Sequence, residues 1–291
     1  MLEAAVIAVR FLQYAGAAVL FGSPLFFVYA GEPAPRVARA MVASAAVLLA
    51  LASALAIGAQ ASLFAGSFAE GFTLEALGAV VSYMPFGKAA VFRAGMALLA
   101  LALLLVLPRG RTAWFGVAAA GAAAAASLGW MGHAAASEGS LARVHLVADV
   151  LHALAACAWL GALAAFLPLA LDDAGRALLH RALRRFSAIG PALIALLVLT
   201  GLVNSWVLVG PDRLGSLAET AYGQVLLAKL ALFAGMLGFA AANRLRHTQA
   251  ITDNAPLGAV RRSLAWEASL GLLVLALVAW LGTLAPPGLA T

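Results

Sequence analysis

Long apolar stretches, separated by short polar segments, run through the whole chain. Eight of them contain about 20 residues, enough for an α-helix to cross the roughly 30 Å of hydrocarbon in a bilayer. They lie at about 4–28, 38–64, 88–107, 113–130, 146–170, 187–209, 222–243 and 264–285. None shows the alternating apolar and polar residues of an outer-membrane barrel strand. The pattern predicts an all-α, polytopic membrane protein in which residues 1–291 form a single bundle of eight transmembrane helices.

The composition supports this prediction and narrows the class of partner. The chain is 65% hydrophobic and 10% charged, whereas a soluble domain has roughly 25% charged residues. Its net charge of +6 does not indicate nucleic-acid binding, because most basic residues lie in the loops between apolar stretches. The expected partner is therefore the lipid bilayer, and no nucleic acid is expected.

The arginines indicate how the bundle is oriented. Twelve of them follow the first, third, fifth and seventh apolar stretches and so share one side of the membrane: Arg36, Arg39, Arg109, Arg111, Arg176, Arg181, Arg184, Arg185, Arg244, Arg246, Arg261 and Arg262. The positive-inside rule places that side in the cytoplasm. We expect an inner-membrane protein with both termini in the periplasm. The first helix is expected to be retained, because the start of the chain lacks the basic region of a signal peptide.

The chain also shows signs of an internal duplication. Residues 83–88 lead into the third stretch, and residues 221–224 lead into the seventh. In both places an aromatic residue and a glycine open the helix, and a cation, Arg93 or Lys229, follows six residues after the glycine. Four helices per unit return the chain to its starting side, so we predict parallel repeats over residues 1–130 and 131–291.

Histidines and an aspartate gather where the fourth and fifth stretches meet. His145, Asp149 and His152 fall within about 60° of arc on one helix face, given 3.6 residues per turn. His133 lies just beyond the fourth stretch, and a short loop returns it to the start of the fifth. Ionisable groups at membrane depth are costly unless they are paired or ligated. We therefore expect the three imidazoles to converge into a metal site at the periplasmic mouth.

The residue types favour copper as the metal. Imidazole binds copper, zinc, nickel and iron, and the thioether of Met131 near His133 shifts the preference toward copper, as Cu(I) or Cu(II). Asp149 is expected to orient an imidazole from the second coordination sphere. Asn204, near the outer end of the sixth stretch, is a further group able to bond a histidine. An ion pair between Asp149 and Lys229, which lies at a similar depth, is the alternative role for the aspartate.

Other functions remain open or are disfavoured at this point. Paired histidines could instead hold a b-type haem, and an open histidine site could serve a copper redox enzyme or a sensor without transport. The sequence contains no Walker A, G-x-S-x-G or HExxH motif. The motifs needed for ATP-driven pumping and for the common hydrolase reactions are therefore missing, and we do not expect an enzyme. The single cysteine, Cys157, is expected to be a small buried apolar residue.

Buried cations stand near the same membrane layer as the histidines. Arg10, Arg93 and Lys229 would repel an incoming metal ion if they were left without counter-charges. We expect them to pair with acidic residues of the outer loops, namely Glu70, Glu75, Glu138 and Glu219. At the cytoplasmic end, Glu267 is expected to form a salt bridge with Arg244.

Short motifs spread over most of the chain resemble the CopD family of bacterial inner-membrane copper resistance proteins. They are strongest from the fourth to the eighth stretch: Gly132, His133 and Ala134; His145, Asp149 and His152; Trp159, Leu160 and Gly161; Arg185, Phe186 and Ser187; Thr200, Gly201 and Asn204; Tyr222, Gly223 and Lys229; Asn243 and Arg244; Arg262, Ser263 and Glu267. The resemblance implies an eight-helix protein that moves copper from the periplasm toward the cytoplasm. It also implies that a periplasmic CopC-type carrier is a partner, and that His133, His145 and His152, with Asp149, are the copper-linked positions.

Overall fold

A computed structural model describes residues 1–31, 35–137, 139, 141–171, 176–243 and 257–289. Within these residues there are eight helices long and apolar enough to cross a membrane, and no strand. They are α1 Leu2–Ala30, α2 Arg36–Ala65, α3 Pro85–Val106, α4 Arg111–Met131, α5 Ala142–Ala170, α6 Ala177–Leu208, α7 Ala221–Ala242 and α8 Gly258–Leu281. The prediction of an all-α protein with eight candidate membrane spans is confirmed. The internal repeat and the orientation of the termini stay predictions.

Three helices begin at least four residues earlier than the apolar stretches: α5, α6 and α8, the last at Gly258 rather than near residue 264. α5 begins at Ala142 rather than near residue 146, so His145 lies inside the helix rather than before it. α6 begins at Ala177, about ten residues before the predicted 187, and so includes the arginine-rich segment. Arginine, alanine and leucine are good helix formers, so the helix continues past the point where the sequence stops being apolar.

α1 and α5 cross at the centre of the bundle. A Cβ atom added to Gly161 would lie 2.2 Å from the carbonyl oxygen of Ala18, and one added to Gly22 would lie 2.0 Å from that of Cys157. Ser23 Oγ donates a hydrogen bond of 2.6 Å to the Gly161 carbonyl at the same place. The crossing coincides with a π-helical turn in α1, Ala18–Gly22. Only glycine at both positions allows the two backbones to come this close.

The remaining helices are arranged around this central pair. α2 packs on α1 and α3, α4 packs on α1 and α3, and α8 packs on α1, α5 and α7. α6 packs mainly along α5. Small residues allow α4 to approach α1 closely, since a Cβ atom on Gly121 would lie 2.6 Å from the Leu20 carbonyl oxygen. Cys157 is buried at the centre, as expected.

The connection from α4 to α5 positions the histidines. α4 ends in a 3-10 turn, Ser127–Met131, and a second 3-10 turn follows at His133–Ala136. Gly132 between them has an extended backbone, which redirects the chain. On the same side, the loop from α2 to α3 contains the short helices Phe68–Gly71 and Leu74–Tyr83. The described residues after α8 include a short 3-10 turn, Pro287–Leu289.

Candidate metal centre

His145 is buried and keeps one ring nitrogen free. It is 1% exposed, and its Nδ1 lies 2.7 Å from Ser137 Oγ. Ser137 Oγ donates its own proton to the carbonyl of His133, so it accepts a proton from His145 Nδ1. This fixes the imidazole with its proton on Nδ1 and its lone pair on Nε2. Nε2 is buried and makes no hydrogen bond within the described residues.

His133 lies in the turn between α4 and α5, close enough to His145 for the two rings to interact electrostatically. Its ring interacts with the backbone carbonyl of Leu284, in the segment after α8, and electrostatically with His145 and Arg10. Burial, followed by the charges of Arg10 and His145, lowers the pKa of His133 from its ordinary value of 6.5, and the Leu284 carbonyl acts in the opposite direction. The ring is therefore neutral near pH 7, the form in which imidazole binds a metal.

His152 lies two turns deeper in α5 and faces α6. Its Nδ1 is 2.9 Å from Thr200 Oγ1, and Thr200 donates its proton to the carbonyl of Leu196 at 2.6 Å. Thr200 therefore accepts from Nδ1, which leaves the lone pair of His152 on Nε2. The absence of a side chain at Gly201 makes room for this ring, since an added Cβ atom would lie 3.5 Å from its Cε1.

The expectation that three imidazoles converge on one ion is not met by this geometry. Among the described residues there is no group of three or more His, Cys, Asp or Glu side chains placed to hold a metal ion together. His133 and His145 are neighbours at the mouth, whereas His152 is held toward α6 by Thr200. The residues share one face of α5, as predicted, but the axial rise of two helical turns, about 10 Å, separates His145 from His152.

Asp149 lies between the two histidine levels and contacts α6. Asn204 Nδ2 donates a hydrogen bond of 3.2 Å to Asp149 Oδ1. Lys229 of α7 interacts with the carboxylate electrostatically, but the direct hydrogen-bond donor is the Asn204 amide. The Oδ2 atom is close to Gly132, where an added Cβ atom would lie 3.9 Å away. The aspartate is therefore hydrogen-bonded to α6 and lies beside the turn that precedes His133.

Met131 is buried next to a cation rather than exposed at the mouth. It is 5% exposed, and its carbonyl accepts a hydrogen bond of 3.2 Å from Arg10 Nη2. Its side chain lines a small cavity together with Arg10 and Gln13. A guanidinium at this distance disfavours a metal ion bound to Met131 alone.

The buried Arg93 and the half-buried Arg10 do not pair with the outer acidic residues as expected. Arg93 is fully buried and donates to Gln13 Oε1, to Ser127 Oγ at 3.0 Å and to the Ser127 carbonyl at 2.8 Å. Arg10 donates to the Met131 carbonyl. Among the described residues, these partners are neutral amide, hydroxyl and carbonyl groups. Glu138, one of the predicted partners, lies outside the described residues.

A second polar group occupies the other end of the bundle. Glu267 is 1% exposed and accepts hydrogen bonds from Trp159 Nε1 at 3.0 Å and Asn243 Nδ2 at 2.9 Å. These residues border a cavity of about 240 Å³ whose other walls are mainly apolar side chains of α5, α6, α7 and α8. The predicted partner Arg244 lies outside the described residues.

Sequence reasoning missed the groups that orient the imidazoles. Nothing in the sequence marked Ser137 as a partner of His145, and Leu284 contributes only its backbone carbonyl. Thr200 and Gly201 were noted as a motif without a role. Thr200 and Gly201 lie three to four residues before Asn204, so the three residues are near one face of α6. This spacing is the sequence signal that could have indicated that this face of α6 contacts α5.

The fold and the site together define a multi-pass membrane protein with ordered histidines at one end of its helices. Residues 1–144 match the family model described as copper resistance protein D-like, N-terminal domain, and residues 180–281 match the model for copper resistance protein D. The chain is 33% identical to copper resistance protein D of Pseudomonas syringae pv. tomato, over 96% of each chain. It belongs to the copper resistance protein D family, and is therefore a copper-related membrane protein.

Further relatives extend the comparison. The inner membrane protein YebZ of Escherichia coli (strain K12) is 28% identical over 96% of this chain and 98% of its own length. The copper transport protein CutJ of Bacillus subtilis (strain 168) is 31% identical over 54% of this chain, which corresponds to 28% of its own length. No solved structure matches this chain significantly.

Proposed function

We propose that this protein takes up copper at the periplasmic face of the inner membrane and passes it toward the cytoplasm. The observation that carries the proposal is the buried, unbonded Nε2 of His145 beside the ring of His133. His145 is oriented through Nδ1 by the Ser137 hydroxyl, which is the usual arrangement of a metal-ligating histidine, and the Leu284 carbonyl interacts with the His133 ring. A buried lone pair with no donor is costly, and a bound metal ion removes that cost.

His133 and His145 are the proposed ligands at the mouth, with Met131 as a weaker third ligand. Imidazole suits copper in both oxidation states, and Cu(I) tolerates a low coordination number, so a pair of imidazoles is a sufficient site. His152 is the proposed next position on the way inward, because its Nε2 also holds a lone pair two turns deeper. Asp149 lies between these levels, and Asn204 and Lys229 stabilise its charge.

The direction of movement rests on the arginine distribution and on the relatives. The positive-inside rule places the histidine end in the periplasm and both termini outside. Copper that reaches His152 would continue to the inner cavity beside Glu267. A relative of this chain is described as a copper transport protein. A periplasmic copper carrier of the CopC type is the proposed donor, and copper is cargo in this scheme, so no enzymatic reaction is assigned.

The test measures bound copper after loading and dialysis of detergent-purified protein. We expect His145→Ala and His133→Ala each to lose most of the copper held by the parent. His180→Ala changes a histidine at the opposite end of α6 and serves as the matched control. Equal copper in the parent and His145→Ala would contradict the proposal. An absorbance spectrum of the untreated protein separates the haem alternative, since a Soret band would identify a cytochrome.

A transport assay tests the role of His152 separately. In proteoliposomes, we expect His152→Ala to keep the copper bound at the mouth but to move it into the lumen at least tenfold more slowly. The histidine is proposed to act after uptake, so binding and movement respond differently. Unchanged movement would remove His152 from the route, and no movement by the parent would favour a binding or redox role.

A further inference from the structure

A small cavity in the first half of the bundle lies beside the mouth, and Met131, the weaker of the proposed copper ligands, forms part of its wall. Its volume is about 10 Å³, room for one water-sized species. It lies between the outer parts of α1 and α2 and the ends of α3 and α4. Its polar side chains are Arg10, Gln13 and Gln60, and no carboxylate lines it. The groups around this space are therefore mainly hydrogen-bond donors.

Gln13 contributes a donor whose direction is fixed. The residue is fully buried, and its Oε1 accepts a hydrogen bond from Arg93 Nη1. An arginine can only donate, so the amide cannot be reversed. Its Nε2 is therefore the remaining group, and it has no hydrogen-bond partner within the described residues. Buried donors of this kind are normally satisfied, so this amide points to an acceptor that fills the cavity.

The surrounding charge selects the kind of acceptor. Arg93 and Arg10 bond neutral groups, and no described carboxylate lies within ion-pair distance of either guanidinium. Arg10 Nη1 also has no hydrogen-bond partner within the described residues, but it lies against Gly282 at the end of α8, and it is the charge of Arg10 rather than this atom that bears on the cavity. Buried charges without a counter-charge are strongly disfavoured. An anion in the cavity would accept a hydrogen bond from Gln13 Nε2 and would also offset the positive charge of the two arginines. A water molecule would accept the hydrogen bond but would not offset the charge.

We infer that this cavity binds a small monovalent anion such as chloride, held by Gln13 Nε2 and the cation of Arg10. The small volume favours a monatomic anion over phosphate, sulfate or an organic acid, each of which needs more space. The anion also lowers the positive potential beside His133, which interacts with Arg10. The anion site itself does not depend on the proposed copper function, because its residues and its test involve metal-free protein.

The test compares halides in metal-free, detergent-purified protein at constant ionic strength. We expect chloride and bromide to raise the thermal midpoint saturably relative to gluconate. Bromide-soaked crystals should show an anomalous peak within hydrogen-bond distance of Gln13 Nε2. Superimposed unfolding curves in chloride and gluconate, without a bromide peak, would overturn the inference and leave only water in the cavity.

A charge-supplying variant separates anion binding from general salt effects. Gln13→Glu places a carboxylate beside Arg93, so we expect the protein to lose its halide response and to be more stable than the parent in gluconate. Gln224→Glu makes the same change at an exposed position of α7 and should keep the full response. An unchanged halide response in Gln13→Glu would contradict the site. If that variant does not fold, the halide titration of the parent still decides.

Discussion

At the scale of residues, the site depends on hydroxyl groups that set the imidazole tautomers. Ser137 and Thr200 each donate a hydrogen bond to a backbone carbonyl and accept a hydrogen bond from a histidine Nδ1–H. Both histidines then present Nε2 as a metal-binding nitrogen without any rearrangement. Such preorganisation raises affinity because the ring does not have to be ordered when the metal binds.

Removing one of these hydroxyls should weaken copper binding without removing a ligand. Ser137→Ala leaves His145 Nδ1 without its acceptor, so the ring loses its fixed tautomer. We expect copper affinity to fall by roughly 10- to 100-fold, the usual cost of losing an outer-shell partner, as measured by competition with a chromophoric chelator.

The matched control for this prediction is Ser216→Ala, in an exposed loop where the hydroxyl donates a hydrogen bond to the Arg213 carbonyl. It should bind copper like the parent. Equal affinities for Ser137→Ala and the parent would show that the hydroxyl does not position His145.

At the scale of elements, the crossing of α1 and α5 holds the second half of the bundle against the first. The glycines at this crossing leave no space for a methyl group. α5 carries His145, Asp149 and His152, so a displacement of this helix would move all three residues together. The close contact of these two glycines therefore helps to fix the position of the histidine site at the end of α5.

Adding one methyl group at the crossing should destabilise the fold. In Gly161→Ala the new Cβ would meet the Ala18 carbonyl oxygen at 2.2 Å and Gly22 Cα at 2.4 Å. Overpacking of this kind costs about 1–3 kcal/mol or more, so we expect a clearly lower thermal midpoint in detergent.

Gly95→Ala is the control for the crossing, because nothing lies within 4 Å of an added Cβ atom there. Replacing glycine by alanine inside a helix usually stabilises by about 0.5–1 kcal/mol, so its midpoint should not fall. A Gly161→Ala midpoint equal to that of the parent would mean that the helices do not cross as described.

The helices themselves could be predicted from hydrophobicity, because a membrane span must satisfy its own backbone hydrogen bonds. The extra residues at the start of α6 could not, since basic residues interrupt their apolar pattern, although Leu179, Ala182 and Leu183 pack into the core. The common face of His145, Asp149 and His152 followed from helical periodicity. Periodicity does not show which helices are neighbours in the bundle. It therefore could not predict that His152 contacts Thr200, or that the partners of Arg93 are neutral groups.

At the scale of the whole molecule, the proposal requires the histidine end to face the periplasm. The single natural cysteine, Cys157, is buried, so the chain provides a nearly silent background for cysteine labelling. We expect Ser216→Cys to react with a membrane-impermeant maleimide when only the periplasm is accessible. Arg109→Cys, in the exposed connection on the arginine side, should react only after the inner membrane is permeabilised. The reverse pattern would invert the topology and the direction of copper movement.

The central claim, that His133 and His145 hold copper at the mouth, is tested most directly by X-ray absorption at the copper edge. For the loaded parent, we predict a shell dominated by nitrogen with the multiple-scattering pattern of imidazole, and a clear loss of that pattern in His145→Ala at matched copper content. A parent spectrum without imidazole scattering, or an identical spectrum for both proteins, would contradict the account.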